Sequence, residues 1–291
     1  MFERFRSGRS QGQDERVLKT LVSGCERLIG EAGESVGLGI AREILQAYSA
    51  SSPEFKNRFF KALAEGFNPD PGLVEQSAKR YAKSQDPKDL IQMVADAQPP
   101  RQELFRRINR VPEGCAALLK MRESLLQSLS KDPSLKAVDS DLEHLLASWF
   151  NPGFLRLDQV SWESPAGLLE QIIQHEAVHE IDGWADLRRR LEPDRRLFAF
   201  FHPALPKEPL IFVEIALLHE MPQSIAPLLD RKSKSEPSTK PYKVAAFYSI
   251  SNCQPGLKGV HLGNFLIKQV AEALKLEFPE IRQFCTLSPI P

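Results

Sequence analysis

Val244–Asn264 reads VAAFYSISNCQPGLKGVHLGN and runs directly into FLIKQVAEALKLEF, residues 265–278. The apolar, β-prone run Lys243–Ser251 predicts a buried strand. The polar loop after it carries Gly256, Gly259 and Gly263, and apolar residues then recur at helical spacing, predicting a helix over Leu262–Glu277. A strand, a glycine loop and a helix N-terminus form an anion site, because successive N–H groups and the positive end of the helix dipole favour a phosphate. A phosphorylated ligand is therefore expected at Lys258, Gly259, Val260, His261, Leu262, Gly263 and Asn264.

Working outward, the preceding segments support a sheet. Leu197–Phe201 and Leu210–Leu218 are short and apolar, and His202–Pro209 between them carries three prolines. This predicts two adjacent antiparallel strands. A short helix over Pro222–Leu229, a solvated mobile loop over Asp230–Pro241 and a last strand over Arg282–Leu287 complete the expected order. Upstream, Ser164-Pro165 opens a helix expected to reach about His179, and a second short one covers Trp184–Leu191. The aromatic, turn-bearing stretch WFNPGFLRLDQVSW, Trp149–Trp162, is read as the boundary between two domains.

From Asp14 to Ala147 the periodicity is helical throughout. Val17, Leu18, Leu21 and Val22 are followed by Ile40, Ile44 and Leu45, by Phe55, Phe59, Phe60 and Leu63, and by Leu118, Leu119, Leu125 and Leu126. Ser51-Ser52-Pro53 places a capping serine before a proline at the first helical position, and Asn68-Pro69-Asp70-Pro71 separates two helices. Six to eight helices in an antiparallel bundle are expected. With no histidine before His144 and no paired carboxylates, this region reads as scaffold or oligomerisation surface.

Composition limits the rest. The 291 residues fit about two domains, and 42% hydrophobic residues suffice for real cores. The 38 basic and 38 acidic side chains cancel, so no global field argues for nucleic acid or an anionic membrane surface. Cys25, Cys115, Cys253 and Cys285 lack CxxC spacing and suit reduced, mostly buried thiols of an intracellular protein. No signal peptide is read at the N-terminus, and MFERFRSGRSQ, Arg- and Ser-bearing but with Glu3 and no long apolar core, leaves a remnant of an organelle presequence as the lesser alternative. The longest apolar run, Leu210–Leu218, is interrupted by Glu214 and too short to span a bilayer.

Two other groups invite chemistry. His175-Glu176-Ala177-Val178-His179 fits H-E-x-x-H, in which two imidazoles one helical turn apart bind zinc while the Glu activates water. The metzincin extension is absent, since Asp182 and Ala185 stand where Gly and His belong, and an acidic, His-bearing helix end is the preferred reading. Arg188, Arg189, Arg190, Arg195 and Arg196 form the one dense basic group. They are read as a solvated helix face, with a phosphate clamp as the alternative.

The loop Lys258–Leu266 resembles the pyrophosphate loop of the GNAT N-acetyltransferases, R/Q-G-x-G-x-G/A, with His261 at a position that is often glycine. Together, EAVHEIDGWADLRRRLEPDRRLFAFFHPALPKEPLIFVEIALL and the stretch from AAFYSIS to LSPIP resemble the malonyl-CoA decarboxylase family from about Pro152 onward. The most specific pieces are FYSIS, GLKGVHLGNFLIK and LSPIP. The resemblance implies an α+β protein: a helical oligomerisation domain over 1–150, then an incomplete acetyltransferase-like (GNAT) α/β catalytic domain over 151–291. It implies conversion of malonyl-CoA to acetyl-CoA and CO2 without metal or organic cofactor, CoA bound by Lys258–Asn264, and Ser288 as the catalytic serine. It also makes the H-E-x-x-H match fortuitous and implies a small-molecule acyl-CoA substrate, a homo-oligomer, and a cytoplasmic protein, or a mitochondrial or peroxisomal one in a eukaryote.

The family's catalytic histidine lies beyond the SPIP motif, and none of His175, His179, His202, His219 or His261 matches it. The chain is accordingly expected to be a C-terminally truncated member, weakly active or inactive alone. The alternatives are an acyl-CoA-dependent N-acetyltransferase using a base such as Glu214, and a non-catalytic CoA-binding module.

Overall fold

The computed structural model describes residues 2–230, 240–260 and 262–287, with the side chains of residues 2–13, 263 and 264 left aside. The chain divides into two compact units, Met1–Ser148 and Trp149–Pro291.

The first unit is helical. Its elements are α1 (Phe2–Gly30), α2 (Glu34–Ser49), α3 (Pro53–Gly66), α4 (Pro71–Ser84), α5 (Pro87–Asp96), α6 (Pro100–Ile108), α7 (Gly114–Leu129) and α8 (Lys136–Trp149). Local chemistry sets the starts. Ser52 Oγ accepts from Phe55 N–H at 3.2 Å, and Asp70 Oδ1 accepts from the N–H groups of Gly72 and Leu73 at 2.7 and 3.2 Å, each cap preceding a proline. The apolar stripes named from sequence face inward: Leu21, Leu28, Ile40, Ile44, Phe59, Phe60, Leu63, Leu118 and Leu125 are all buried. Buried charge is partnered here too. Arg101 donates to Asp141 of α8, to the Phe67 carbonyl at 3.2 Å and to Asn68, tying down the α3–α4 connection.

The second unit is built on a five-stranded sheet, in the spatial order β1 (Arg156–Val160), β2 (Arg195–Phe201), β3 (Ile211–Leu218), β4 (Val244–Asn252) and β5 (Gln283–Thr286). The first three pairings are antiparallel and β4–β5 is parallel. A parallel neighbour needs a crossover, and α12 (Gly263–Glu277) provides it, burying Leu266, Val270 and Leu274 along one stripe. α9 (Ala166–His175) and α10 (Gly183–Arg190) pack Leu169, Ile172 and Leu187 against Leu197, Ala199 and Phe212 of the sheet. A second cluster joins Ala216, Ala246 and Tyr248 to Leu228 of α11 (Ala226–Leu229).

Three sequence expectations need correction. The stretch Trp149–Trp162 begins where the two units divide, but it also contains a strand that the sequence reading omits, β1, a five-residue edge whose polar RLDQV sequence buries only Val160. α9 stops at His175 rather than near His179. Third, the arginine group is no solvated face: Arg189, Arg190 and Arg195 are buried. Arg189 pairs with Glu192 and Asp194, Arg195 with Asp194, and Arg190 with Asp186 and Glu214, so these guanidiniums are committed to protein carboxylates rather than to a phosphate. The expected solvated loop at 230–241 lies largely outside the described residues. Cys25, Cys115 and Cys253 are buried free thiols and Cys285 is half-buried.

Candidate functional site

β4 holds the key geometry. Its register against β3 runs Glu214↔Ser249 and then Ile215↔Phe247, so Tyr248 is the extra residue of a β-bulge. On its other edge β4 pairs with β5 from Val244 to Phe247, and the Leu287 N–H adds a last bond to the Phe247 carbonyl at 2.8 Å. Among the described residues, Tyr248–Asn252 then have only β3 as a strand neighbour. The bulge falls where the parallel pairing stops.

Beyond β4 the chain is pinned before it turns. Cys253 N–H donates to the Leu210 carbonyl at 2.9 Å, and Gln254 Nε2 reaches Glu208 and the Pro209 carbonyl at 3.3 Å each. A single 3-10 turn, Pro255–Leu257, follows, and Val260 N–H closes onto the Leu257 carbonyl at 2.9 Å. Gly259 has φ +87°, backbone that a side chain would strain. Lys258 and Gly259 are exposed, Val260 is half-buried and Leu262 is buried. Leu262 sits at the N-cap of α12, where no side chain caps the helix among the described residues, and Gly263 and Asn264 form its first turn. The structure thus brings Lys258, Gly259, Val260 and Leu262 together at a helix start. His261 and Ser288 lie outside the described residues.

The segment after α9 supplies what sequence reasoning missed. Glu176 has φ −66° and ψ 111°, so the chain leaves the helix there, and His175 and His179 do not share a helical turn. The Glu176 carboxylate is buried and already engaged. It accepts from Ser249 Oγ at 2.7 Å, from Ser251 Oγ at 3.0 Å, and from the N–H groups of Val178 and His179 at 2.8 Å each. Ala177 N–H donates to Ser251 Oγ at 3.2 Å. Four donors on one carboxylate leave no water-activating base, and among the described residues no three His, Cys, Asp or Glu side chains are grouped to hold a metal. The signal for this cluster was in FYSIS: serines two apart on a buried strand point the same way and need an acceptor.

Glu214 sits deeper. It is fully buried, with Arg190 Nη1 donating to its Oε2 at 2.6 Å. Burial pushes its carboxyl up to about 7 against the pull of Arg190, and the nearby Glu176 charge adds to the rise. Burial and Glu214 together hold the Tyr248 phenol well above its usual value. Arg190 also grips the carbonyls of His179 and Glu180 at 2.9 and 3.2 Å. A carboxyl sealed in this way is no base for an open amine groove, which removes the residue on which the N-acetyltransferase alternative relied.

A helical unit followed by a mixed sheet, with a glycine loop opening the crossover helix at the carboxyl end of a strand, defines an α+β protein. Two family models match the chain in tandem, the malonyl-CoA decarboxylase N-terminal domain over residues 67–150 and the C-terminal domain over residues 153–291. The chain belongs to the malonyl-CoA decarboxylase family. It is 38% identical over 242 residues to the mitochondrial malonyl-CoA decarboxylases of Anser anser anser and Rattus norvegicus, covering 79% of this chain and 48% and 49% of theirs. It thus spans about half the length of these curated relatives. The crystal structure of malonyl-CoA decarboxylase from Rhodopseudomonas palustris superposes with a TM-score of 0.87 at 45% identity, over 94% of this chain and 67% of that one. For the Agrobacterium vitis structure the values are 0.88, 45%, 94% and 66%. Among the described residues no helix is long and apolar enough to cross a membrane.

Proposed function

We propose that this chain binds malonyl-CoA and serves its decarboxylation to acetyl-CoA and CO2. The observation that carries the reading is the loop at 258–262, where a glycine at φ +87° leads into a helix start that no described side chain caps, in a chain of this family. The pyrophosphate of CoA takes that helix start, with Lys258 beside it and the N–H groups of the Gly263–Asn264 turn facing it. The acyl arm runs back along the carboxyl half of β4.

The chemistry requires little beyond placement and charge stabilisation. The C–C bond to the carboxylate breaks, CO2 leaves, and the electron pair passes into the thioester as an enolate that takes a proton at carbon. Ser288, two residues past the end of β5 in sequence, is the hydroxyl proposed to hydrogen-bond the developing charge. The free hydroxyl is a poor acid, so a second group delivers the proton. This scheme uses no metal or organic cofactor. The helical unit is proposed to assemble copies of the chain, in the cytoplasm or, in a eukaryote, in mitochondria or peroxisomes.

The test is CO2 release from malonyl-CoA by the purified chain, with Ser288→Ala expected to abolish it and Gly263→Trp to abolish CoA binding. Malonyl-CoA bound without conversion would reduce the function to a CoA-binding module. Acetylation of amines without malonyl-CoA turnover would overturn the decarboxylase reading.

A further inference from the structure

The turn after α9 holds a polar atom without a partner. His179 Nε2 is buried and makes no hydrogen bond among the described residues. The residue as a whole is half-buried and its backbone is anchored: Glu176 fixes its N–H, Arg190 fixes its carbonyl, and its ring lies 6.4 Å from that of Tyr248, centroid to centroid. A residue held from both sides of its backbone has had its ring placed. Glu214 Oε1 and Arg189 Nε nearby are open as well; buried polar atoms are satisfied in nearly all native structures, so an open imidazole nitrogen points to a partner outside the described residues.

The position identifies that partner. Tyr248 is the bulge at which β4 passes beyond its pairing with β5, and the loop beginning at Cys253 is five residues further along the strand. Those five residues span about 17 Å of strand, on the scale of an extended pantetheine arm. A CoA whose arm enters at Cys253 and runs back along β4, as proposed above, brings its acyl end to the level of Tyr248. In the tautomer protonated at Nε2, the imidazole can donate to an acyl carboxylate there.

Resting on the acyl-CoA reading above, we propose that His179 is the specificity-determining contact for a carboxylate-bearing acyl group, and that Glu176 is its positioning residue. Glu176 acts through the turn: its bonds to Ser249 and Ser251 lock residues 176–179 onto the carboxyl half of β4. The contact separates malonyl-CoA from CoA and acetyl-CoA, which lack the carboxylate.

Calorimetric titration of the full chain with CoA, acetyl-CoA and malonyl-CoA tests this, in a Ser288→Ala background so that no ligand is consumed. His179→Leu is expected to lower the preference for malonyl-CoA over CoA about tenfold, the weight of a hydrogen bond to a charged group. CoA affinity should stay within about twofold of the parent and the melting temperature close to it. His179→Gln, which restores an N–H near the same place, should recover part of the preference, and Glu176→Gln should lose both preference and stability. An unchanged preference in His179→Leu with CoA still bound overturns the proposal alone, as does an equal loss for all three ligands. A parent chain that binds none of them overturns the acyl-CoA reading, and this proposal with it.

Discussion

Arg101 in the helical unit and Arg190 in the sheet unit perform the same structural task in different dielectric surroundings. Each guanidinium reaches a carboxylate distant in sequence and also holds backbone carbonyls of a connecting segment: Phe67 for Arg101, His179 and Glu180 for Arg190. The partners differ. The Asp141 side chain keeps 11% of its surface in solvent and also accepts from Gln102, whereas Glu214 has none. Water in contact with one member of a pair lowers the cost of burying it, while a sealed carboxylate keeps that cost and raises its pKa. The helical pair is a staple. Its counterpart holds a charge in place behind β4, the strand that leads into the glycine loop.

The largest effect expected from this comparison is at Arg190. Arg190→Met leaves Glu214 buried without its cation and should cost about 3–5 kcal/mol near pH 8, read from urea denaturation. The loss should shrink near pH 5, where Glu214 can take up a proton. Pairing it with Glu214→Leu should return most of the stability, since a sealed ion pair is replaceable by apolar volume. A single variant as stable as the parent at pH 8 would break the distinction drawn here.

Arg101→Met sharpens it from the other side. Asp141 can turn to solvent, so the cost should be smaller, about 2–3 kcal/mol, and should come mainly from the Phe67 carbonyl and Asn68 losing their donor. A cost as large as that of Arg190→Met would mean that partial exposure of Asp141 does not matter.

The same contrast explains what could be read from the chain. The helical unit was legible because its determinants are local: Ser52 and Asp70 cap their own helices, and the Phe59–Leu63 stripe is a period in sequence. The α+β class, the β2–β3 pairing and the strand–loop–helix of β4 and α12 were legible for the same reason. β1 was missed because an edge strand buries one face of one residue, and RLDQV carries no alternation to detect. α9 was drawn too long because its end is set by serines more than seventy positions away, which pull Glu176 off the helix axis. The arginine group was taken for a surface because Glu214 and Asp194, which neutralise it, stand in or before later strands. The buried network around Tyr248 was not legible, because its members come from segments far apart in the chain.

The smallest effect is the most diagnostic, because it reports on Glu214 without disturbing the packing. A carboxyl raised to about 7 in the folded chain from an ordinary value of 4.5 binds its proton more tightly when folded. Its stabilising contribution is therefore complete below about 4.5 and is lost as pH rises through 7. The slope is at most about 1.4 kcal/mol per pH unit. His202 works against it, since burial lowers its pKa from 6.5 and its contribution falls away as pH drops below that value. Asp194 acts elsewhere: despite burial, the hydrogen bond from Arg189 and the charge of Arg195 hold its carboxyl below the usual range, so its contribution is lost only in stronger acid. The difference between the parent and Glu214→Gln cancels both. That difference, from urea midpoints between pH 4.5 and 8, should fall steadily with rising pH until about 7 and then level off. A flat difference would mean that Arg190 offsets the burial of Glu214 completely, and the sealed pair would then carry no greater cost than the Arg101–Asp141 pair.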